Sequence, residues 1–323
     1  MTVTMAGALN SALRDAMRED DTVVVYGEDV GRLGGVFRIT DGLQAEFGKD
    51  RCFDTPVAES GIAGTALGMA LYGLRPVVEM QFDGFSYPAL DQVIGHVAKY
   101  RNRTRGSVGL PIVIRIPYGG GIGAVEHHSE SPETYYAHTA GLTVVTPGTP
   151  SDAYVLLRAA TSHPDPVIFL EPKRRYWQRE EVDLPATGEP IGRAVVRRTG
   201  STATLIAYGP MVVTALEAAE AATNDGWELE VVDVRTLTPL DMETLSASVT
   251  KTGRAIVVHE APRFAGYGAE IAASITEAVF GHLAAPVLRV TGFDLPYPPA
   301  KIEHHYLPSV DRILDAVAQS LQY

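Results

Sequence analysis

The chain has 323 residues, of which 46% are hydrophobic and 20% are charged, as in ordinary globular proteins. This length predicts two domains rather than one. The formal net charge is −12, from 27 Lys and Arg against 39 Asp and Glu. Nucleic acid and anionic membranes bind proteins through an excess of positive charge, so we expect neither as a partner.

The chain carries no sign of export or membrane insertion. Its single cysteine, Cys52, cannot form an internal disulfide, and residues 1–17 have the pattern of an amphipathic helix rather than a signal peptide. Residues 61–78 are rich in Gly and Ala and include Arg75, so they are too weakly hydrophobic to span a bilayer. We therefore expect a cytoplasmic protein.

Two series of β-branched runs predict two α/β domains. The first series gives strands at 22–26, 76–80, 111–116, 142–146 and 166–170. The second gives strands at 203–208, 228–234, 255–260 and 286–290, with helices at 211–223 and 268–280. Strands that alternate with helices favour parallel sheets with crossover helices. A polar stretch separates the series, so we predict domains at 1–178 and 193–323 with a linker at 179–192.

Glu59 follows a predicted strand end, in the segment DTPVAESG at 54–61. Ligands collect at the carboxyl ends of strands in doubly wound sheets, which makes Glu59 a candidate binding residue. A carboxylate in a first helical turn also complements the helix dipole, so the pattern alone leaves both roles open. The glycines that follow, Gly61, Gly64 and Gly68, have helix-packing spacing rather than the G-x-G-x-x-G of dinucleotide-binding folds.

Two further candidates also follow predicted strands. Glu28 lies in YGEDVG at 26–31, where a solvated turn residue is the alternative interpretation. His127 and His128 lie in GGGIGAVEHHSESPE, and an imidazole titrates near neutral pH and can transfer protons. Paired histidines can also be surface residues, and the neighbouring sequence lacks the further ligands that zinc would need.

Seven segments, taken in chain order, carry a family resemblance. They are YGEDVGRLGGVF, GLQAEFGKDRCFDTPVAESG, LDQVIGHVAKYRNRT, HHSESPETYYAHTAGLTVVTP, PVIFLEPK, LTPLDMETLSASVTKTGRAIVVHEAP and EAVFGHLAAPVLRVTGFDLPYP. Together they resemble the β subunits of thiamine-diphosphate-dependent 2-oxo-acid dehydrogenases over nearly the whole chain. The resemblance implies an α/β fold of two domains: an N-terminal thiamine-pyrimidine-binding domain with a doubly wound parallel sheet, and a C-terminal transketolase-like domain.

The resemblance also implies roles for individual residues. Glu59 corresponds to the glutamate that hydrogen-bonds the aminopyrimidine ring and favours its imino tautomer. Phe85, in QFDGFSYPALDQ, corresponds to an aromatic residue against that ring. Glu28 matches a glutamate near the cofactor that links two active sites by a proton path. His128, rather than His127, matches the histidine that faces the reaction centre and assists transfer to the lipoyl group.

Two metal ions are implied in different places. The chain has no G-D-G followed by a distal Asn, so Mg²⁺ and the diphosphate are expected on an α subunit, and the active site is completed by that second chain. A structural potassium ion in the family is held by backbone carbonyls. Its ligands would map here to Leu110, Ile112, Val113, Ala160, His163 and Asp165.

The segments SPETYYAHTAGLTVVTP and IFLEPKRRYW look closer to the branched-chain type, which acts on 2-oxoisovalerate, than to the pyruvate type. The expected partners are an α subunit, in an α₂β₂ heterotetramer, and a lipoyl-bearing dihydrolipoyl acyltransferase. Three alternatives stay open: a pyruvate dehydrogenase β subunit, a split transketolase-type carboligase, and a non-catalytic assembly module. The presence of Glu59, Phe85 and His128 argues against the last of these.

Overall fold

The strands form where the sequence has short runs of buried, mostly β-branched residues. In the computed structural model, which describes residues 2–323, they are β1 (Thr2–Thr4), β2 (Val23–Gly27), β3 (Cys52–Asp54), β4 (Arg75–Glu79), β5 (Val113–Tyr118), β6 (Thr143–Val145), β7 (Val167–Pro172), β8 (Arg179–Glu181), β9 (Val195–Arg198), β10 (Ala203–Ala207), β11 (Leu229–Asp233), β12 (Thr236–Thr238), β13 (Ala255–Val258) and β14 (Leu288–Val290). Every residue of β2, β5 and β7 is buried, as expected of parallel strands covered on both faces.

The helices are α1 (Met5–Glu19), α2 (Leu43–Phe47), α3 (Glu59–Leu71), α4 (Leu90–Gly95), α5 (Tyr100–Arg103), α6 (Glu133–Ala137), α7 (Pro150–Ser162), α8 (Met211–Ala221), α9 (Met242–Thr252), α10 (Tyr267–Val279), α11 (Glu303–Tyr306) and α12 (Val310–Ser320). Thr4 caps α1 by accepting the backbone N–H of Gly7 at 3.1 Å. Met5, Leu9 and Leu13 recur every fourth residue of α1 and are fully buried. None of the helices within residues 2–323 is long and apolar enough to cross a membrane.

The larger sheet forms the centre of the N-terminal domain. Its strand order is β12-β6-β7-β5-β4-β2-β3, and its neighbours are parallel except that β12 pairs antiparallel with β6. The second sheet has the order β14-β13-β10-β11-β9, parallel except for β9. Two α/β domains with largely parallel sheets confirm the predicted fold class, and all nine strands predicted from the sequence are present.

Two short strands lie outside the predicted N-terminal domain in sequence but pair with strands of that domain. Strand β8 lies inside the predicted linker at 179–192, yet it pairs antiparallel with β1 at the N-terminus. Strand β12 comes from the second half of the chain but extends the N-terminal sheet. Beside it, the buried Arg235 donates to Asp152 at 2.9 Å and to the carbonyl oxygens of Arg193 and Glu189 at 3.1 and 3.0 Å. The domain boundaries themselves stay a prediction.

A buried ion-pair network joins the three central strands of the larger sheet. The guanidinium of Arg115, on β5, contacts Glu79 of β4 at 2.7 Å and Glu171 of β7 at 2.7 and 3.0 Å. The side chain of Arg115 is fully buried, and the Tyr176 hydroxyl donates to Glu171 at 2.6 Å. Because a guanidinium offers five donors in a planar fork, one side chain satisfies carboxylates on both neighbouring strands.

Replacing Arg115 by Met should lower the free energy of unfolding by about 3–5 kcal/mol, because two buried carboxylates would lose the cation that pairs with both of them. Urea denaturation of the isolated chain measures this change. Arg18→Met is the matched control, since Arg18 also pairs with a carboxylate, at 2.7 Å from Glu46, but is 55% exposed. The control should change stability by less than about 1 kcal/mol. Equal losses in the two variants would contradict the account.

Candidate active site

The candidate site residues converge at one edge of the larger sheet. Glu28 follows β2, Glu59 follows β3 and begins α3, Phe85 follows β4, and His128 follows β5. Parallel neighbouring strands end at the same edge, so residues far apart in the chain meet there. Three side chains that the sequence predicted after strand ends, Glu28, Glu59 and His128, therefore belong to one region. Phe85, which the family resemblance implied, belongs to it as well.

Glu28 is a buried carboxyl group whose hydrogen-bonding neighbour is another carboxyl group, that of Glu59. It is 3% exposed, and neither of its carboxylate oxygens accepts a hydrogen bond from residues 2–323. Burial raises the pKa of Glu28 to about 7, and the negative charges of Glu59, Asp29 and Glu79 add to this shift. Buried polar groups in folded proteins nearly always have partners, so an unsatisfied carboxyl here points to a ligand or to a functional proton.

Glu59 is the first residue of α3 and is 7% exposed. Ala58, the residue before it, provides no side-chain cap, so the carboxylate of Glu59 is the acidic group at this positive end of the helix dipole. Its charge also reaches Glu28, whose pKa it raises. The structure thus brings together the two glutamates that the sequence predicted, and the helix role and a binding role are compatible.

Phe85 lies in a short 3₁₀-helix, Gly84–Ala89, and belongs to a cluster of aromatic rings. Its ring centroid is 5.1 Å from that of His128 in an edge-to-face arrangement, and 5.8 Å from that of Phe82. The ring of Phe82 lies closer still to His128, at 4.0 Å. The 3₁₀-helix that carries Phe85 contacts the start of α3, since the Ser60 hydroxyl donates to the carbonyl of Pro88. Sequence reasoning did not identify Phe82 as part of the aromatic cluster.

His128 ends a second 3₁₀-helix, Glu126–His128, and its ring is partly buried. Its Nδ1 atom has no hydrogen-bond partner among residues 2–323. Burial lowers the pKa of His128, and the charges of His127 and Lys173 lower it further. The imidazole is therefore neutral at neutral pH and can accept a proton. The His127 side chain is more exposed, and its Nδ1 atom lies 3.9 Å from the Oε1 atom of Glu126.

The glycine-rich segment before the histidines is held by the C-terminal domain. The backbone N–H of Gly121 donates to the Tyr297 hydroxyl at 3.0 Å and to Glu303 at 3.2 Å, and that of Gly123 donates to Glu303 at 3.1 Å. The φ of Gly121 is +84°, and a β-carbon at the neighbouring Gly120 would overlap the Tyr297 hydroxyl of the C-terminal domain. Close backbone approach across the domain interface therefore requires glycine.

A second layer of buried polar contacts lies behind this segment. The backbone N–H of Gly120 donates to Glu260 at 2.8 Å, and Glu260 also pairs with Arg174 at 2.9 Å. The Tyr208 hydroxyl, from the C-terminal domain, donates to Glu133 of the N-terminal domain at 2.8 Å. Burial raises the pKa of Glu133 to about 8. Sequence reasoning missed these residues, because no local pattern shows which side chains meet across domains.

His304 and His305 are exposed, and their ring centroids are 3.9 Å apart. Their neighbour Glu303 makes the contacts to the glycine-rich segment instead.

The six predicted potassium ligands lie in two neighbouring segments on the other side of the domain. Leu110, Ile112 and Val113 enter β5, while Ala160, His163 and Asp165 lie at the end of α7 and before β7. The segments adjoin, since the backbone N–H of Val167 donates to the carbonyl of Ile112 at 2.9 Å. A protein cation is also close: the Arg75 guanidinium donates to the carbonyls of Thr161 and His163 at 3.2 and 3.5 Å.

Comparison with known proteins identifies the domains. The family described as "Transketolase, pyrimidine binding domain" matches residues 1–178, and "Transketolase, C-terminal domain" matches residues 192–313. The chain is 58% identical over 322 residues to the 3-methyl-2-oxobutanoate dehydrogenase subunit beta of Mycobacterium tuberculosis, covering 99% of this chain and 92% of that protein.

The chain belongs to the family of 2-oxo-acid dehydrogenase β subunits. It is also 53% identical to the pyruvate dehydrogenase E1 component subunit beta of Leifsonia xyli, with coverage of 100% of this chain and 96% of that one. The 2-oxoisovalerate dehydrogenase subunit beta of Pseudomonas aeruginosa is 45% identical, with coverage of 97% and 93%. These values confirm the resemblance predicted from the sequence motifs.

A solved structure shares the fold of this chain. The structure titled "Split gene transketolase, inactive beta4 tetramer" superposes with a TM-score of 0.81 at 23% identity, covering 99% of this chain and 98% of that one. At that identity the likeness concerns the fold alone. It agrees with the two transketolase-type domains. The pyrimidine-binding match includes every strand of the larger sheet except β12.

The raised pKa of Glu28 gives a prediction about stability and pH. The folded chain holds the Glu28 proton up to about pH 7, whereas an ordinary carboxyl loses it near 4.5, so stability falls as pH rises through this window. A glutamine at position 28 cannot ionise, so the Glu28→Gln variant should not lose this stability. The free energy of unfolding of the variant minus that of the unmodified chain should therefore rise on the order of 2 kcal/mol between about pH 5 and pH 8. Denaturation at several pH values measures this difference.

Glu126→Gln is the control for this measurement, because the Glu126 side chain is 60% exposed. Its stability relative to the unmodified chain should change with pH far less than that of Glu28→Gln. If the stability difference between Glu28→Gln and the unmodified chain is as independent of pH as that of the control, Glu28 is not a buried carboxyl group that keeps its proton near neutral pH.

Proposed function

We propose that this chain is the β subunit of a branched-chain 2-oxo-acid dehydrogenase. With an α subunit it catalyses the oxidative decarboxylation of 2-oxo acids such as 3-methyl-2-oxobutanoate, and it transfers the acyl group to the lipoyl group of a dihydrolipoyl acyltransferase. The observation that carries the proposal is the 58% identity, over 99% of this chain, to a protein named as the β subunit of that dehydrogenase. The assembly is an α₂β₂ heterotetramer in the cytoplasm.

The site fits the pyrimidine end of thiamine diphosphate. Glu28 and Glu59 are buried carboxyl groups at one sheet edge, and Glu28 has acceptor oxygens that no described residue satisfies. A ring with N–H donors would satisfy such oxygens, and the Phe85 ring offers an apolar face for stacking. When bound, the cofactor supplies the electron sink for decarboxylation.

The chain's own residues then have separate tasks. Glu59 hydrogen-bonds the aminopyrimidine and fixes its tautomer, while Phe85 orients the ring and excludes water. Glu28 holds a proton beside Glu59 near neutral pH, which suits a proton path that links two active sites. His128, neutral and with a free Nδ1, faces the reaction centre and assists acyl transfer to the lipoyl group.

The metal ions divide between the subunits. We assign Mg²⁺ and the diphosphate to the α subunit, because this chain has no G-D-G followed by a distal Asn. A carbonyl oxygen has two lone pairs, so one hydrogen bond does not prevent ligation of a hard cation. We assign potassium to the carbonyls of Leu110, Ile112, Val113, Ala160, His163 and Asp165.

A pyruvate dehydrogenase β subunit is the second candidate, because the Leifsonia xyli relative carries that name at 53% identity. A split transketolase-type carboligase has less support. Its solved example shares the fold at only 23% identity, whereas relatives at 45% and above are named as dehydrogenase subunits.

Glu59→Gln in the assembled α and β subunits should lower decarboxylation by at least about 100-fold, because the amide keeps the shape of the side chain but loses the carboxyl's proton chemistry. Reduction of an artificial electron acceptor measures this step without the acyltransferase. Circular dichroism verifies folding, and Glu126→Gln, on the exposed segment before His127, serves as the control. Normal turnover by Glu59→Gln would refute the assigned role.

Substrate preference separates the two dehydrogenase candidates. The assembled wild-type enzyme should have a kcat/KM for 3-methyl-2-oxobutanoate about 10-fold or more above that for pyruvate, since each extra methyl or methylene group in a fitting pocket contributes about 1–3 kcal/mol. Steady-state rates with both substrates and the same lipoyl acceptor give the ratio. A ratio that favours pyruvate would replace the branched-chain assignment by the second candidate.

A further inference from the structure

A buried ion pair lies directly behind the histidine segment. Lys173, the first residue after β7, extends its ammonium group to the carboxylate of Asp83, and both side chains are fully buried. The same ammonium donates to the backbone carbonyl of His128 at 2.7 Å. Three neighbouring strand ends, those of β4, β5 and β7, are therefore joined at one nitrogen atom.

Asp83 is itself fixed by a chain of buried hydrogen bonds. The Ser86 hydroxyl donates to the Asp83 carbonyl at 2.6 Å, and the Tyr136 hydroxyl donates to Ser86 at 2.8 Å. The Lys173 ammonium also lies 5.5 Å from the centroid of the Phe82 ring, which packs against His128. The pair thus contacts both the main chain of His128 and the ring that supports its imidazole.

Stability alone does not explain such a pair. Removing two charges from water costs several kcal/mol for each ion, and apolar residues of similar volume often stabilise a fold as well or better. Burial raises the pKa of Asp83 to about 7 and lowers the pKa of Lys173, which reflects that cost. What an apolar pair could not supply is a directed N–H donor to the carbonyl of His128.

We propose that Lys173, held by Asp83, is a positioning residue that fixes the His128 imidazole for acyl transfer to the lipoyl group. The inference rests on the proposed role of His128. It goes beyond that role because Lys173 and Asp83 act through the main chain of His128 and the Phe82 ring. Displacing a catalytic group by about 1 Å can cost on the order of 100-fold in rate, so loss of this contact should be measurable.

The test uses the double variant Asp83→Asn/Lys173→Met in the assembled enzyme. It removes both charges together, so neither is left buried alone, and it removes the donor to His128. Two rates are compared: decarboxylation with an artificial electron acceptor, and acylation of a free lipoyl domain. We expect the acylation kcat to fall about 10- to 100-fold with little change in KM for the lipoyl domain, while decarboxylation changes less than about 3-fold.

His128→Ala is the reference variant for loss of acylation. Lys99→Met is the control, because the Lys99 ammonium also donates to a backbone carbonyl, that of Ala140 at 2.9 Å, but lies away from this site. If His128→Ala leaves lipoyl acylation normal, the proposed role of His128 fails, and the positioning role fails with it. If His128→Ala impairs acylation but the double variant matches Lys99→Met, only the positioning role is overturned. Equal loss of both rates in the double variant would also overturn it, since that result indicates a structural role alone.

Discussion

The buried guanidinium of Arg115 is the contact on which the candidate site depends. It joins β4, β5 and β7 through Glu79 and Glu171, and these strands lead into the segments that carry Phe85, His128 and Lys173. In a close-packed interior, a fixed set of strand ends fixes the positions of the side chains that follow them. The site is therefore built on buried central strands, although its residues lie in connecting segments.

The arrangement concentrates acidic groups where the protein gives them few partners. Glu28 and Glu59 interact with each other, and the oxygens of Glu28 receive no hydrogen bond from residues 2–323. Such a site is unfavourable in the isolated chain and becomes favourable when a ligand supplies donors. A half-site of this kind agrees with the proposed active centre, in which the pyrimidine end would bind here and the diphosphate with Mg²⁺ would bind the α subunit.

Local sequence patterns predicted the strands and the residues that follow them. Runs such as 22–26 and 111–116 are β-branched and buried, so they became β2 and β5, and Glu28, Glu59 and His128 follow strand ends as expected.

The contacts that hold the site could not be predicted in this way. Glu303 reaches Gly121 across 182 residues of chain. Strand β12 joins a sheet of the other domain, and a three-residue strand has too little pattern to recognise. The pairing of Lys173 with Asp83 likewise depends on strand order, which local patterns do not encode.

The shared active site is tested most directly by calorimetric titration of thiamine diphosphate with Mg²⁺ into this chain alone, and then into this chain assembled with its α subunit. We expect tight binding only in the assembled protein, because the proposed site has the pyrimidine end on this chain and the metal and diphosphate on the α subunit. Tight binding to the isolated chain would contradict the division of the site between two subunits.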